Sequence, residues 1–445
     1  MRYWGGAESL SCIRPVSQTE VSGFEREFAS YLGVRHVTAT RYARTALYLA
    51  LRALDIRGHE VLLPALTCSV VRDAVCLAGA IPVFVDTEPG NLGMNMDEVR
   101  QKTNSNTKAL IITHYYGNLA GNFDELLSFA RERKLIAIED CAHSLGLTHK
   151  GQRIGTFGDM AAFSLSKNTL NFNGGLFVCR DEIHHDRVRR LMAGQSKRGR
   201  LTECGMLYPI MNGGFRAILD RAVFNRVGKR VSRRSLAGIT DAGNAVLNSI
   251  PIPYRSRSTT TGRDSGHRFG EVRRHHVGHI EDNKVEVPLT MPSIVAALGR
   301  IQLRKLDILN RKRVAICNAL ITDLGCYYLQ NAEARERDSV YSFFPMRFEG
   351  ADIQEIQEYC RARGLSLLTT WPAHQEYWPE QDTENVRRIR DSLLLWFVNP
   401  MVTNSEISEM RRILSAFAPL NSAVSDHSLP RARSQSPTSG ITKQS

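Results

Sequence analysis

Two hydrophobic periods run along this chain, and the places where one gives way to the other mark its elements. Leu135–Ile138 is a short apolar run ending in Glu139-Asp140, the pattern of a buried strand that delivers a carboxylate at its C-terminal end. Met160–Leu165 reads as a second strand, delivering Ser164. Open α/β sheets bind ligands outside the carboxyl ends of their strands, so both polar groups point at one crevice. Lys167 follows three residues after Ser164, the small and polar residues Asn168–Gly175 form a loop, and Leu176–Cys179 is a further apolar strand. Farther on, Phe215, Ile218, Leu219, Ala222, Val223, Val227 and Val231 share one helical face, with Arg216, Arg226, Lys229 and Arg230 elsewhere. That spacing predicts an amphipathic basic helix. Ser256–Arg274, rich in Ser, Thr and Arg, reads as a mobile loop. Asn421–Ser445 carries too few apolar residues to fold alone, so the core ends near Pro419.

The crevice is where chemistry enters. A lysine amine forms an imine with an aldehyde cofactor and becomes a useful nucleophile where desolvation or nearby positive charge lowers its pKa. An aspartate facing a pyridine nitrogen keeps that nitrogen protonated, which makes the ring an electron sink. A serine hydroxyl and helix-start amides hold a phosphate. Singly, Asp140 reads equally well as a strand-end cap, Ser164 as turn chemistry and Lys167 as a solvated loop residue. Together, in this order, they point to a pyridoxal 5'-phosphate site.

The motifs around these residues are Glu139-Asp140-Cys141-Ala142-His143-Ser144-Leu145-Gly146, Gly155-Thr156-Phe157-Gly158-Asp159, Phe163-Ser164-Leu165, Lys167-Asn168 and Gly174-Gly175. In order and spacing they resemble the DegT/DnrJ/EryC1/StrS family of sugar aminotransferases, pyridoxal-phosphate enzymes of fold type I. The resemblance extends over most of residues 20–418. Phe24–Val37 and Tyr42–Leu54 are similar to the family's first helix, short strand and phosphate-binding helix. Glu60–Asp86 is similar to its next strand, helix and strand, His114-Tyr115-Tyr116-Gly117 to its turn after a strand, and Ala296–Asp307 to its long helix. Val340–Phe417 reads as a small α+β domain.

The resemblance implies Lys167 as the Schiff-base lysine, Asp140 as partner of the pyridine nitrogen, Ser164 as a phosphate ligand and His143 as the contact to the phenolic oxygen. Ala43, Arg44 and Thr45 fall at the phosphate-binding helix start. Tyr42-Ala43 replaces the usual Ser-Gly there, and Cys68 stands where many members place an aromatic ring over the pyridine face. The interval from Ser164 to Lys167 is two residues shorter than in most members, and Asn173 replaces a common glutamate before the glycine pair. By the same resemblance the protein is a homodimer that moves an amino group from an amino acid, glutamate or glutamine, to a nucleotide-linked keto sugar. Dehydratases of this family replace the lysine with histidine, which Lys167 disfavours. The rival from another class is a binding or regulatory protein built on a worn cofactor fold.

Composition refines this picture. A chain of 445 residues exceeds one ordinary domain. It divides into an N-terminal extension at 1–19, a large α/β domain of mixed, mostly parallel sheet at 20–310, a small C-terminal α+β domain at 311–419 and a disordered tail at 420–445. Hydrophobic content of 42% and charged content of 23% are those of an ordinary soluble chain. With no signal-peptide pattern and no spanning apolar window, the expected location is the cytoplasm. Nine cysteines without a C-x-x-C pair read as reduced core residues, and no metal site is expected. The absence of G-x-G-x-x-G after a strand argues against a dinucleotide fold.

The net charge of +13 is concentrated between Lys197 and Arg274, where 16 Lys and Arg face 5 Asp and Glu. This stretch lies in a basic insertion at about 197–280, for which three readings stand open: packing on the enzyme or a second subunit, contact with an anionic membrane surface, or steering of a doubly negative nucleotide substrate. Regularly interleaved aromatics are absent, which argues against nucleic acid as a partner.

Overall fold

The computed structural model describes residues 19–169, 174–193, 289–324, 339–370 and 378–417. The tail, the N-terminal residues 1–18, Asn173, Trp371-Pro372, the basic insertion with its amphipathic helix at Phe215–Val231, and the loop at Ser256–Arg274 all lie outside these residues.

In the large domain, helices α1 (Thr19–Leu32), α2 (Ala43–Ala53), α3 (Ser69–Leu77), α4 (Met96–Lys102), α5 (Phe123–Arg133), α6 (Leu165–Asn168), α7 (Glu182–Ala193) and α8 (Ser293–Leu324) surround a seven-stranded sheet. Its strands are β1 (His36–Thr40), β2 (Glu60–Pro64), β3 (Ile81–Val85), β4 (Thr107–Thr113), β5 (Ile136–Cys141), β8 (Met160–Ser164) and β9 (Gly175–Cys179), with a small hairpin, β6 (Thr148–His149) and β7 (Gln152–Arg153), between β5 and β8. The spatial order is β1-β9-β8-β5-β4-β2-β3, parallel throughout except for β9, which runs against both neighbours.

Both faces of this sheet are covered, so its strands are continuous apolar runs whose alternate residues feed two cores. Leu110, Ile112, Ala161, Phe163, Leu176 and Val178 join Phe24 and Phe28 of α1 and Leu303 and Leu306 of α8 on one side. Ala109, Ile111, Met160, Ala162, Phe177 and Cys179 join Leu47, Leu51 and Val75 of α2 and α3 on the other. The strand-rich sequence of Val, Ile, Leu and Ala thus buries every strand residue from Met160 to Ser164 and from Gly175 to Cys179.

The small domain carries β10 (Phe343–Arg347), α9 (Ile353–Ala362), β11 (Leu368–Thr369), α10 (Glu384–Arg390), β12 (Leu393–Phe397) and α11 (Asn404–Leu414), with the three strands antiparallel in the order β10-β12-β11. Its core of Phe344, Met346, Phe348, Cys360, Leu394 and Val398 takes Cys317 and Leu320 from α8. One continuous helix therefore serves both domains, and the boundary expected at 310/311 falls inside it. The lysine region also differs from expectation. Leu165, read as a strand end, and Lys167-Asn168, read as a loop, form the one-turn helix α6, because Ser164 caps its first turn by accepting the Ser166 N–H at 3.4 Å.

Candidate active site

β5 and β8 are adjacent and parallel, with Asp140 opposite Ala162, so their carboxyl ends open on one crevice. Asp140 is the next-to-last residue of β5, buried, its Oδ1 accepting the Ala142 N–H at 3.1 Å. β8 ends at Ser164 and turns straight into α6, which brings Lys167 back over the crevice. Lys167 Nζ stands 5.9 Å from the ring centre of Phe343, and its electrostatic neighbour is Cys68, the residue that starts α3. Burial raises the Cys68 thiol, with the charge of Asp140 adding to the effect and that of Lys167 opposing it.

His143 completes this wall. Its buried ring lies 5.9 Å from that of Tyr116, nearly parallel at 23°, and 5.3 Å from Phe343. Its Nδ1 accepts the Tyr116 N–H at 3.3 Å, which leaves Nε2 as the proton-bearing nitrogen. Tyr116 can offer that N–H because it holds a left-handed backbone, φ 60°, at the turn after β4. Its hydroxyl is fixed in turn by Thr370 Oγ1 at 2.5 Å.

Burial dominates the electrostatics. It lowers the Lys167 ammonium below its ordinary value, with Cys68 pulling the other way. It holds His143 well below the usual imidazole range, with Lys167 adding to the effect, so the imidazole is neutral. It pushes the Asp140 carboxyl up to about 6, against the Ala142 N–H and the charge of His114, which pull it down. At neutral pH the crevice thus holds a carboxylate, a neutral imidazole and an amine that gives up its proton more readily than a solvated lysine does.

The opposite end of the crevice is the start of α2. Tyr42 precedes that helix in extended conformation and supplies no side-chain cap. Gly174, at φ +110°, donates its N–H to the Arg41 carbonyl at 3.0 Å and accepts the Leu165 N–H at 3.0 Å. A Cβ on Gly175 would lie 2.3 Å from Tyr42 C and 2.4 Å from Ala43 N. The Gly-Gly pair therefore lets the strand after the lysine press against the backbone of the helix start, and no side chain but hydrogen fits. Thr45 is fully buried behind Ala43, whereas Arg44 is exposed with its guanidinium 4.2 Å from the centre of the Tyr42 ring.

A short helix start without a side-chain cap, a buried carboxylate, a neutral imidazole donor and a desolvated lysine are the donor set that a phosphorylated pyridine aldehyde requires. The residues present fit it.

Neighbouring residues that sequence reasoning did not single out brace this arrangement. Glu139 is fully buried and its carboxylate accepts the N–H groups of Gly155, Phe157 and Gly158 at 2.8, 2.8 and 2.7 Å, with His114 Nε2 at 3.3 Å. This explains why an acid precedes Asp140: one strand residue ties down the Gly-rich loop while the next faces the crevice. Asp159 closes the same loop by accepting the Ala137 N–H at 2.9 Å. His114, Glu139 and Cys141 place potential ligand atoms within 4.8 Å of one another. Because the Glu139 oxygens are taken up by four donors and His114 Nδ1 accepts the Ala120 N–H at 3.1 Å, the group is a hydrogen-bond network. Phe343 reaches the crevice from the small domain. No local signal marks it, since its crevice contacts with Lys167, His143 and Tyr116 come from residues more than 170 positions earlier.

The fold is that of the fold type I pyridoxal-phosphate-dependent transferases. Residues 16–235 match the model of the DegT/DnrJ/EryC1/StrS aminotransferase family, a pyridoxal-phosphate-dependent family. Among curated proteins, the chain is 36% identical over 174 residues to GDP-perosamine synthase of Vibrio cholerae, covering 38% of this chain and 47% of that one. It is 34% identical over 198 residues to dTDP-4-dehydro-2,3,6-trideoxy-D-glucose 4-aminotransferase of Saccharopolyspora spinosa, covering 42% and 51%. The matched stretch spans about half the length of these relatives. Among solved structures, S. venezuelae DesV in complex with a ketimine intermediate superposes with a TM-score of 0.66 at 22% identity, over 92% of this chain and 94% of that one.

Proposed function

We propose that this protein is a pyridoxal-phosphate-dependent aminotransferase that moves an amino group from an amino-acid donor, glutamate or glutamine, to a keto sugar carried on a nucleotide. The observation that carries this reading is the desolvated Lys167 amine facing Cys68 and His143 beside the buried Asp140 carboxylate. The curated relatives, named for GDP- and dTDP-linked sugars, supply the substrate class.

Bound at this site, the cofactor would supply a covalent anchor for the amino group and an electron sink. Asp140 would hold a proton on the pyridine nitrogen. The buried carboxylate is well suited to this, because a cation placed against it relieves the desolvation that now raises it. His143 would donate its Nε2–H to the phenolic oxygen, its orientation fixed by the Tyr116 N–H at Nδ1. The start of α2 at Ala43, Arg44 and Thr45 would take the phosphate through backbone amides, with Ser164 adding its hydroxyl. Lys167 Nζ, poised to lose its proton, would accept the one released from the donor's α-carbon and return it later in the cycle.

We also propose a cytoplasmic homodimer, the dimer tested by light scattering after gel filtration; of the three readings of the basic insertion, contact with anionic lipid is tested by vesicle cosedimentation. The decisive assay for the reaction is incubation of the reconstituted protein with glutamate and a panel of keto sugar nucleotides, read by mass spectrometry. Amination of one nucleotide sugar, lost in Lys167→Ala, is the expected result. Cofactor uptake without amination of any member would refute the substrate class.

A further inference from the structure

α8 carries three polar residues at three-residue spacing, Asp307, Asn310 and Arg313, on a helix that also gives apolar residues to the cores of both domains. Asp307 accepts the Tyr31 hydroxyl at 2.6 Å and pairs with Arg153 at 3.0 Å, on the hairpin after the His143 loop. Asn310 Nδ2 donates to the Leu145 carbonyl at 3.0 Å, and Gly146 is needed there, since a Cβ would lie 2.6 Å from that nitrogen. Arg313 is fully buried. Its Nη1 donates to Asn310 Oδ1 at 2.7 Å, its Nη2 to the Asn168 carbonyl at 2.9 Å and its Nε to the Val398 carbonyl at 3.2 Å.

These partners belong to the segments that build the crevice. Asn168 is the last residue of α6, the helix that carries Lys167, and a cation at a helix C-terminus is favourably placed. Leu145 lies two residues after His143. Val398 follows β12, which pairs with the strand of Phe343. A planar fork with fixed donors can register three such pieces at once, and a lysine at the same position cannot.

We infer that Arg313 is a positioning residue for Lys167: its guanidinium clamps the C-terminal end of α6 to the His143 loop and to the small domain, and so holds the lysine amine in its desolvated place. This rests on the reading of Lys167 as the cofactor lysine only for its purpose. The clamp itself is testable in the cofactor-free full-length protein. The groups that face Lys167 are Cys68 from α3, His143 from the loop after β5 and the Phe343 ring from β10, with Asp140 close behind. None of them changes in the variants below.

The experiment follows acylation of individual lysines by an amine-specific anhydride as a function of pH, quantified by peptide mass spectrometry, with the exposed Lys134 as internal reference. In the wild-type protein the Lys167 midpoint is expected below the ordinary lysine range. In Arg313→Met the Lys167 midpoint is expected to rise toward the ordinary lysine range, read as a roughly tenfold loss of free amine at a given pH below it. Arg313→Lys, which keeps the charge and loses the fork, is expected to behave like Arg313→Met. An unchanged Lys167 midpoint in Arg313→Met overturns the inference, and so does full rescue by Arg313→Lys, because charge alone would then suffice. Should Arg313→Met not fold, Asn310→Ala decides: a smaller upward shift supports the clamp and no shift overturns it. A wild-type protein that takes up no cofactor would sink the proposed function and leave these readouts intact. Normal uptake with an unmoved midpoint would sink the clamp alone.

Discussion

Glu139→Gln changes one oxygen for an NH2 group in a fully buried site where every partner is a donor. If the remaining oxygen stays with Phe157 and Gly158, the new amide faces the Gly155 N–H and the His114 Nε2–H, donor against donor. If the amide flips, the clash moves to Phe157 and Gly158. His114 has no cheap escape, because accepting at Nε2 would put its proton at Nδ1 against the Ala120 N–H. Two buried donors left unsatisfied cost roughly 1–3 kcal/mol each, and the bonds that survive are no longer charge-assisted, so the substitution should cost about 3 kcal/mol or more. The assay is urea unfolding of the cofactor-free protein, followed by intrinsic fluorescence and by circular dichroism. A loss below about 1 kcal/mol, with both probes coinciding, would refute the assignment of Glu139 as the anchor of the Gly155–Asp159 loop.

Asp140 gives a pH-dependent counterpart. Its folded-state pKa of about 6 lies above the ordinary 3.8, so the native state holds that proton more tightly, and stability is lost as pH rises through this window. Asp140→Asn should therefore stabilise the cofactor-free protein above pH 6, by up to about 3 kcal/mol, with the gain fading below about pH 4, while weakening cofactor binding. Thermal melts across that pH range check both the sign and the window. Gly175→Ala drives a methyl group into the backbone of Tyr42-Ala43, which must part by about 1 Å. Equilibrium dialysis should show at least tenfold weaker uptake of pyridoxal phosphate, whereas Gly151→Ala, which has open space but carries backbone strain at φ +77°, should leave uptake unchanged.

The parts of this site that proved legible are those written locally. A strand of Val, Ile, Leu and Ala must end where its first polar side chain meets the crevice, so Asp140 and Ser164 could be placed from pattern alone. The choice of Lys167 came from the order of the motifs in the family resemblance. Local pattern failed at Lys167 itself: Leu165-Ser166-Lys167-Asn168 looks like loop chemistry, and only the capping hydroxyl of Ser164 reveals the helix turn. The longer-range supports were invisible. Nothing in Asn310-Arg311-Lys312-Arg313 says which basic residue turns inward, because the answer depends on carbonyls 145 residues earlier and 85 residues later. Thr370, which no local pattern marks, is buried against the Tyr116 hydroxyl and so acts on the orientation of His143.

The most direct test of the central claim is reductive trapping. The wild-type protein, incubated with pyridoxal 5'-phosphate, reduced with borohydride, digested and mapped by mass spectrometry, should carry the phosphopyridoxyl group on Lys167, and Lys167→Ala should carry none. Label spread over exposed lysines such as Lys134 with Lys167 unmodified would contradict it.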